Sequence, residues 1–107
     1  MAKQFRARLE RMAADLKAAT QATAADRAPV ELDQQSVGRL SRMDALQVQA
    51  MALETERRRA RALLRVEAAL KRCDEGEFGY CIECGEEIPV RRLKIDPAAP
   101  LCVDCAS

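Results

Sequence analysis

Two closely spaced pairs of cysteines constrain the fold of this chain more than any other feature. Cys81 and Cys84 form the first pair, and after seventeen intervening residues Cys102 and Cys105 form the second. Two C-x-x-C pairs at this separation are typical of a four-cysteine zinc site, in which the thiolates surround the ion as a tetrahedron. Because thiolates would fill all four positions, none stays open for water or substrate. The spacing therefore predicts one closed, structural zinc ion.

Other uses of the cysteines fit the sequence less well. Thiol oxidoreductases carry a single C-x-x-C motif at a strand-to-helix turn, and no such strand pattern precedes Cys81. Two disulfides would suit a secreted protein, but the N-terminus lacks the apolar run of an export signal. The fifth cysteine, Cys73, is predicted to lie in the last turn of a helix, where it serves as a small apolar side chain and not as a metal ligand.

The composition argues against a thick globular core. The 107 residues include two Phe, one Tyr and no Trp, and much of the apolar fraction is alanine. Long helices paired along a thin apolar seam need less apolar material than a compact domain does. A short zinc module needs little core, because metal binding supplies part of its folding free energy.

Charge and the missing motifs narrow the function. A net charge of +1 argues against a protein that coats nucleic acid. No stretch approaches the ~20 apolar residues of a membrane span, so we expect a cytoplasmic protein with reduced cysteines and no membrane contact. The sequence has no histidine, no phosphate-binding loop and no recognisable carboxylate pair, so no enzyme is predicted.

The first helix is predicted over residues 3–25. Apolar residues recur at alternating spacings of four and three, which is the heptad pattern of a helix that packs along one seam. The seam comprises Phe5, Leu9, Met12, Leu16 and Ala19. Residues 26–40 read as a connection that contains Pro29 and Gly38, both unfavourable within a helix.

A second, longer helix is predicted to follow, ending at about Asp74. Ser41 and Asp44 have the spacing of a capping box, which predicts that Ser41 is the N-cap. The predicted apolar seam comprises Leu46, Ala50, Leu53, Ala60, Leu63 or Leu64, and Leu70.

These elements predict a mostly α-helical fold. Residues 1–75 form an antiparallel helical hairpin, a coiled coil with its tip at about 26–45, and residues 76–107 form a small four-cysteine zinc finger.

Residues 67–105 carry a specific set of motifs. A G-x-F-G-x-C approach ends at Cys81, and a C-G-x-x-I knuckle begins at Cys84. An R-R-L step at 91–93 and a P-x-x-x-L-C-x-x-C finish at 97–105 complete the set. In these motifs the sequence resembles the DksA/TraR zinc-finger family, and the predicted hairpin fits the same architecture.

The resemblance implies a transcription regulator that binds RNA polymerase. In that family the hairpin enters the secondary channel of the bacterial polymerase, and its tip alters initiation, often together with guanosine tetraphosphate (ppGpp). Family tips often carry two aspartates three residues apart, the second followed by a small residue. Asp44 and Ala45 match the second part, Ser41 stands at the first position, and Asp33 is an alternative acid nearby.

The resemblance also suggests roles for several arginines. Arg58 and Arg65 occupy candidate nucleotide-facing or polymerase-facing positions, and Arg91 and Arg92 are candidate partner contacts. The residues themselves allow a simpler interpretation. The arginines at 57–61 also suit a solvated helix face paired with nearby glutamates, and those at 91–92 suit charge balance for the thiolates.

A second function remains open, namely a zinc ribbon that binds nucleic acid directly. The near-zero net charge and the scarcity of aromatic side chains for base stacking disfavour it. Sequence-specific DNA binding is therefore not expected.

Overall fold

The computed structural model describes residues 2–27 and 39–106. Two long helices form the body of the molecule, and two short ones lie near the C-terminus. In chain order the elements are α1 (Ala2–Ala22), a 3-10 turn (Ala24–Arg27), α2 (Arg39–Glu75), α3 (Val90–Ile95) and α4 (Val103–Ala106). Arg6 contacts Asp74 and Thr20 contacts Glu56, so α1 and α2 run antiparallel, as predicted.

Helix α1 packs along its predicted seam. Phe5 and Leu9 are buried, and Met12, Leu16 and Ala19 are partly buried. The helix ends at Ala22 and not at residue 25, because the chain tightens there into the 3-10 turn. The heptad spacing thus located the inward face of α1 correctly and placed its end three residues too late.

The start of α2 differs from the prediction. Ser41 lies inside the helix, two residues after its first residue, Arg39. Ser41 is therefore not the N-cap, and Asp44 is not the third helical residue. The capping-box pattern reports a local preference, but the arginine and leucine before Ser41 are good helix formers and extend the helix. The connection predicted at 26–40 is shorter at both ends, because residues 26–27 belong to the 3-10 turn and residues 39–40 to α2. Its remainder at 28–38, with Pro29, Asp33 and Gly38, lies outside the described residues.

The seam of α2 is as predicted at Leu63 and Leu70, which pack against the core, but it differs from the prediction further from the finger. The predicted residues Leu46, Ala50, Leu53 and Ala60 are exposed. The partly buried row of α2 is rotated by about one residue and keeps the four-and-three spacing. It comprises Ala45, Gln49, Ala52, Glu56, Arg59, Leu63, Val66, Leu70 and Cys73. Three of these residues are polar. A search for apolar side chains alone therefore selected the neighbouring row of Leu46, Ala50, Leu53 and Ala60 in the part of α2 that is far from the finger.

One apolar core joins the base of the hairpin to the zinc finger. The helices contribute buried residues that include Phe5, Leu9, Val66 and Ala69, and the finger contributes residues that include Phe78, Ile88, Leu93 and Ala98. The rings of Phe5 and Phe78 lie 5.6 Å apart, centroid to centroid. We expected the metal to replace a core in this segment. Instead, the finger packs against both helices.

The molecule is elongated. Its principal extents are 62 × 28 × 19 Å, and its radius of gyration is 19.3 Å, compared with ~13 Å for a compact domain of about 100 residues. Helix α2, with 37 residues, accounts for about 55 Å of this length at the usual helical rise. Among the described residues, none of the helices is both long and apolar enough to cross a membrane.

Candidate metal centre and hairpin tip

A tight turn holds the first cysteine pair. The backbone N–H of Gly85 donates to the carbonyl of Cys81 at 3.0 Å, and the N–H of Cys81 donates to the carbonyl of Glu86 at 2.8 Å. Gly85 has a φ of 76°, in the left-handed region that glycine enters at little cost. This turn brings the side chain of Cys84 back beside that of Cys81.

The second cysteine pair lies at the start of α4, where the backbone N–H of Ala106 donates to the carbonyl of Cys102 at 3.0 Å. Two hydrogen bonds fasten this segment to the rest of the finger. The N–H of Ile82 donates to the carbonyl of Pro100 at 3.0 Å. Arg92 donates from Nε to the carbonyl of Leu101 at 3.1 Å.

The four sulfur atoms form a cluster of the right size for zinc. The Sγ atoms of Cys81, Cys84, Cys102 and Cys105 all lie within 4.8 Å of one another. The Sγ atoms of Cys84 and Cys102 are 3.6 Å apart. A tetrahedron with Zn–S distances of about 2.3 Å requires sulfur atoms about 3.8 Å apart. The cluster is therefore close to the size that a zinc ion requires.

The protonation of the cluster also favours a cation. The backbone N–H groups of Cys84 and Cys102 point at Cys81 and lower the pKa of its thiol to about 6. The neighbouring thiols, that of Cys102 first, raise the pKa of Cys105 above its ordinary value. The pKa of Cys84 is also raised: a backbone hydrogen bond from Glu86 lowers it, but burial and the adjacent thiols outweigh that contribution.

Thiols packed this closely cannot all ionise without a positive charge among them, and Zn²⁺ supplies that charge. Because the cluster offers four sulfur ligands, the site is closed and structural. Cys73 is not part of the cluster. It is partly buried against the core, as expected for a small apolar side chain.

The proposed tip residues lie far along α2 from the finger. Asp44 is exposed and has no hydrogen bond or ion pair among the described contacts, whereas Ala45 is partly buried. Asp44 is the sixth residue of α2, so it does not cap the helix end. Its carboxylate is therefore available at the surface.

The candidate arginines do not gather into one basic surface. Arg58 pairs with Glu54 at 3.6 Å, and Arg65 pairs with Asp96 of the finger at 2.8 Å. Arg92 is occupied by the carbonyl of Leu101, whereas Arg91 is exposed.

A polar cluster in the middle of the hairpin was not predicted. Glu56 accepts a hydrogen bond from Thr20 at 3.0 Å and pairs with Arg27 at 3.3 Å. Thr23 accepts hydrogen bonds from Arg27 at 2.9 Å and Arg59 at 3.0 Å. We call these five residues the polar belt. The heptad spacing of Gln49, Glu56 and Leu63 was the only sequence signal for it.

Known proteins match both parts of this architecture. Residues 76–107 match the model of the prokaryotic DksA/TraR C4-type zinc finger. Over 63 residues the chain is 49% identical to the RNA polymerase-binding transcription factor DksA of Haemophilus influenzae, covering 57% of this chain and 43% of that protein. The Escherichia coli K12 protein of the same name is 44% identical over 63 residues, covering 57% and 42%.

The aligned stretch thus spans less than half the length of these relatives. A solved structure extends the likeness to the hairpin. The transcription factor DksA2 from Pseudomonas aeruginosa has the same fold, with a TM-score of 0.78 and 25% identity, over 98% of this chain and 79% of that one. Residues 76–107 therefore form a zinc finger of the DksA/TraR type, and the chain is similar in fold to a DksA2 transcription factor.

Proposed function

We propose that this protein is a transcription regulator that binds bacterial RNA polymerase through the secondary channel and modulates initiation. The observation that carries the proposal is the combination of a DksA/TraR finger with a hairpin of the DksA2 fold over 98% of the chain. Two relatives that are 49% and 44% identical over 63 residues are named as RNA polymerase-binding transcription factors. Such a protein acts in the cytoplasm, where the polymerase is, and needs no catalytic site of its own.

The shape suits insertion into a channel. The molecule is 62 Å long and 28 × 19 Å in its other dimensions, which suits entry into a long, narrow channel. In this proposal the finger and the base remain at the channel entrance, and the sides of the hairpin supply most of the contact area. The tip, around Asp44 and Ala45, is then the part that reaches furthest into the enzyme.

Asp44 is the residue that we propose acts on the polymerase. Its exposed carboxylate has no partner among the described contacts, so it is free to repel acidic groups or accept hydrogen bonds from mobile elements of the enzyme. Because Asp44 does not cap α2, replacing it should leave the hairpin intact. Binding and regulation should therefore be separable at this position.

The test is to compare the Asp44→Asn variant with wild type for binding to core polymerase and for in vitro transcription from a sensitive promoter. We expect nearly wild-type binding and loss of most of the regulatory effect. Glu67→Gln, which removes an exposed charge from the same helix near the base, serves as the matched control and should regulate normally. Wild-type regulation by Asp44→Asn would rule out the role of Asp44, and failure of the wild-type protein to bind polymerase would rule out the function.

Direct nucleic-acid binding is not favoured by the surface of the hairpin. The arginine run on α2 has acidic partners: Arg57, Arg58 and Arg61 surround Glu54, and Arg59 pairs with Glu56. The two glutamates offset half of the positive charge of the four arginines and hold their guanidinium groups, which weakens the attraction of the run for phosphates. The interpretation of this run as a paired helix face therefore fits the structure better than a basic patch.

We propose Arg58 and Arg65 as the contacts for ppGpp, if the nucleotide acts with this protein. Each arginine holds a carboxylate in the free protein, so an incoming phosphate would have to displace Glu54 or Asp96. The nucleotide effect should accordingly be weak. Asp96→Asn keeps an oxygen to accept the N–H of Ala98 while releasing Arg65. A stronger ppGpp effect with this variant in the transcription assay would support the proposal, and an unchanged effect would contradict it.

A further inference from the structure

Arg72 differs from the other arginines of the described chain. Most of them have partners: seven pair with carboxylates, and Arg8 and Arg92 donate to backbone carbonyls. Among those without such a partner, Arg11, Arg42 and Arg91 are exposed to solvent, whereas Arg72 is partly buried. Burial lowers the pKa of Arg72, and the like charge of Arg65 adds to this effect.

Arg72 is one of the residues that line an open cavity of about 400 Å³. The volume lies in the usual range for small-ligand pockets, about 300–1,000 Å³. The other lining residues are Gly76, Glu77, Tyr80, Cys81, Ile82 and Gly85. Tyr80 and Ile82 are large side chains that remain 46% and 62% exposed, which gives the cavity two apolar walls open to solvent.

Within the part of the chain that the structure describes, Arg72 lacks the ion-pair partner that a partly buried charge normally has. A partly buried guanidinium costs solvation free energy that an ion pair normally offsets, and the described residues provide no such pair. Glu77 lines the same cavity but lies beyond ion-pair distance of Arg72. An arginine beside exposed aromatic and aliphatic side chains is also the composition found at the centres of protein–protein interfaces.

We propose that this cavity is a docking pocket for an acidic side chain of a protein partner, with Arg72 as the residue that receives the carboxylate. Tyr80 and Ile82 would pack against the apolar part of the same partner segment. The proposal rests on the function proposed above, and the partner is accordingly RNA polymerase. It assigns to the junction of α2 and the finger a specific contact that is independent of the hairpin tip.

A competing explanation is that Arg72 only balances charge. Four thiolates on Zn²⁺ carry a net charge of −2, and Cys81 lines the same cavity. That explanation predicts that neutralising Arg72 weakens zinc binding. The docking explanation predicts that zinc content stays at one equivalent and that only partner binding changes.

The experiment measures binding of core RNA polymerase by full-length variants whose zinc content and thermal stability are determined first. Arg72→Gln should weaken binding about tenfold, the usual scale for an interface arginine that loses its carboxylate. Arg72→Glu should weaken it further, and Arg72→Lys should retain part of the affinity. The matched control is Arg11→Gln, which removes an exposed and unpaired arginine from α1 and should bind within about twofold of wild type.

A second measurement identifies the occupant. With a photo-crosslinking side chain in place of Ile82, the crosslinked polymerase peptide should contain Asp or Glu. This crosslinking measurement also keeps the proposal testable if the Arg72→Gln variant does not fold.

Three results would overturn the pocket while the proposed function stands. They are wild-type polymerase affinity of a folded Arg72→Gln variant, loss of zinc in that variant, and a crosslink to a basic segment or to nucleic acid. If wild type does not bind polymerase, the function fails and this pocket fails with it.

Discussion

Phe78 should stabilise the hairpin although it belongs to the finger. Its side chain is 7% exposed, and its ring lies 5.6 Å from the ring of Phe5 at an angle of 39°. Phe5 is the first seam residue of α1. Removing the Phe78 ring would leave a cavity between the two parts and expose the base of the hairpin seam.

The magnitude follows from the burial. Phe→Ala at a buried site costs about 3–5 kcal/mol, and this includes roughly 0.5–1.5 kcal/mol for the aromatic pair. A domain of this size has a total stability of only about 5–15 kcal/mol. At about 4–8 °C per kcal/mol near this chain length, Phe78→Ala should lower the melting temperature by more than about 10 °C.

The assay follows the helical signal by far-UV circular dichroism during thermal unfolding with zinc present. Because almost all of the helix is in α1 and α2, the signal reports the hairpin and not the finger. Ile82→Ala is the control, since Ile82 is 62% exposed and should change stability by less than about 0.5 kcal/mol. A hairpin that melts at the wild-type temperature without the Phe78 ring would refute the shared core.

Three further predictions concern the thiols and the polar belt. Zinc binding near neutral pH should release protons, because the pKa values of Cys84 and Cys105 are raised, so chelator competition should show that affinity falls with falling pH. Burial raises the pKa of Cys73, so with zinc bound its thiol should be alkylated more slowly than an exposed thiol. The Cys73→Ala variant should still bind one zinc ion. Glu56→Ala should destabilise the hairpin in denaturant titrations by about 1–3 kcal/mol, because Arg59 and its neighbours lose an acceptor, and Glu54→Ala should cost less.

The zinc finger was predictable because its signal is local. The spacing of the cysteines determines which side chains can reach one ion, and the glycines mark where the chain turns. The same holds for α1, where Phe5, Leu9 and Leu16 are large apolar residues on a single row. In both segments the residue types and their spacing agree, so no knowledge of the partner element was needed.

Helix α2 was less predictable because its buried face depends on α1. Glu56 lies inward only because Thr20 and Arg27 meet it there, and those contacts join residues far apart in sequence. The row that contains the exposed Leu46 and Leu53 is more apolar than the row that contains Gln49 and Glu56. The prediction therefore chose the wrong face. Packing of the finger was missed for a similar reason, since residues such as Ile88 and Leu93 gain their core neighbours only through the tertiary fold.

The polar belt explains how a hairpin with so few large apolar residues keeps its register. The side chains of Arg27, Glu56 and Arg59 are only 18–24% exposed, so losing their partners would leave charges partly desolvated. Sliding α2 by one heptad would separate Glu56 from Thr20 and Arg27. Apolar contacts are not directional and can re-form in a shifted register, whereas partly buried charges that lose their partners stay unpaired, so the belt favours one register. In the proposed mechanism that register matters, because it fixes the path of about 45 Å along α2 between the finger and Asp44.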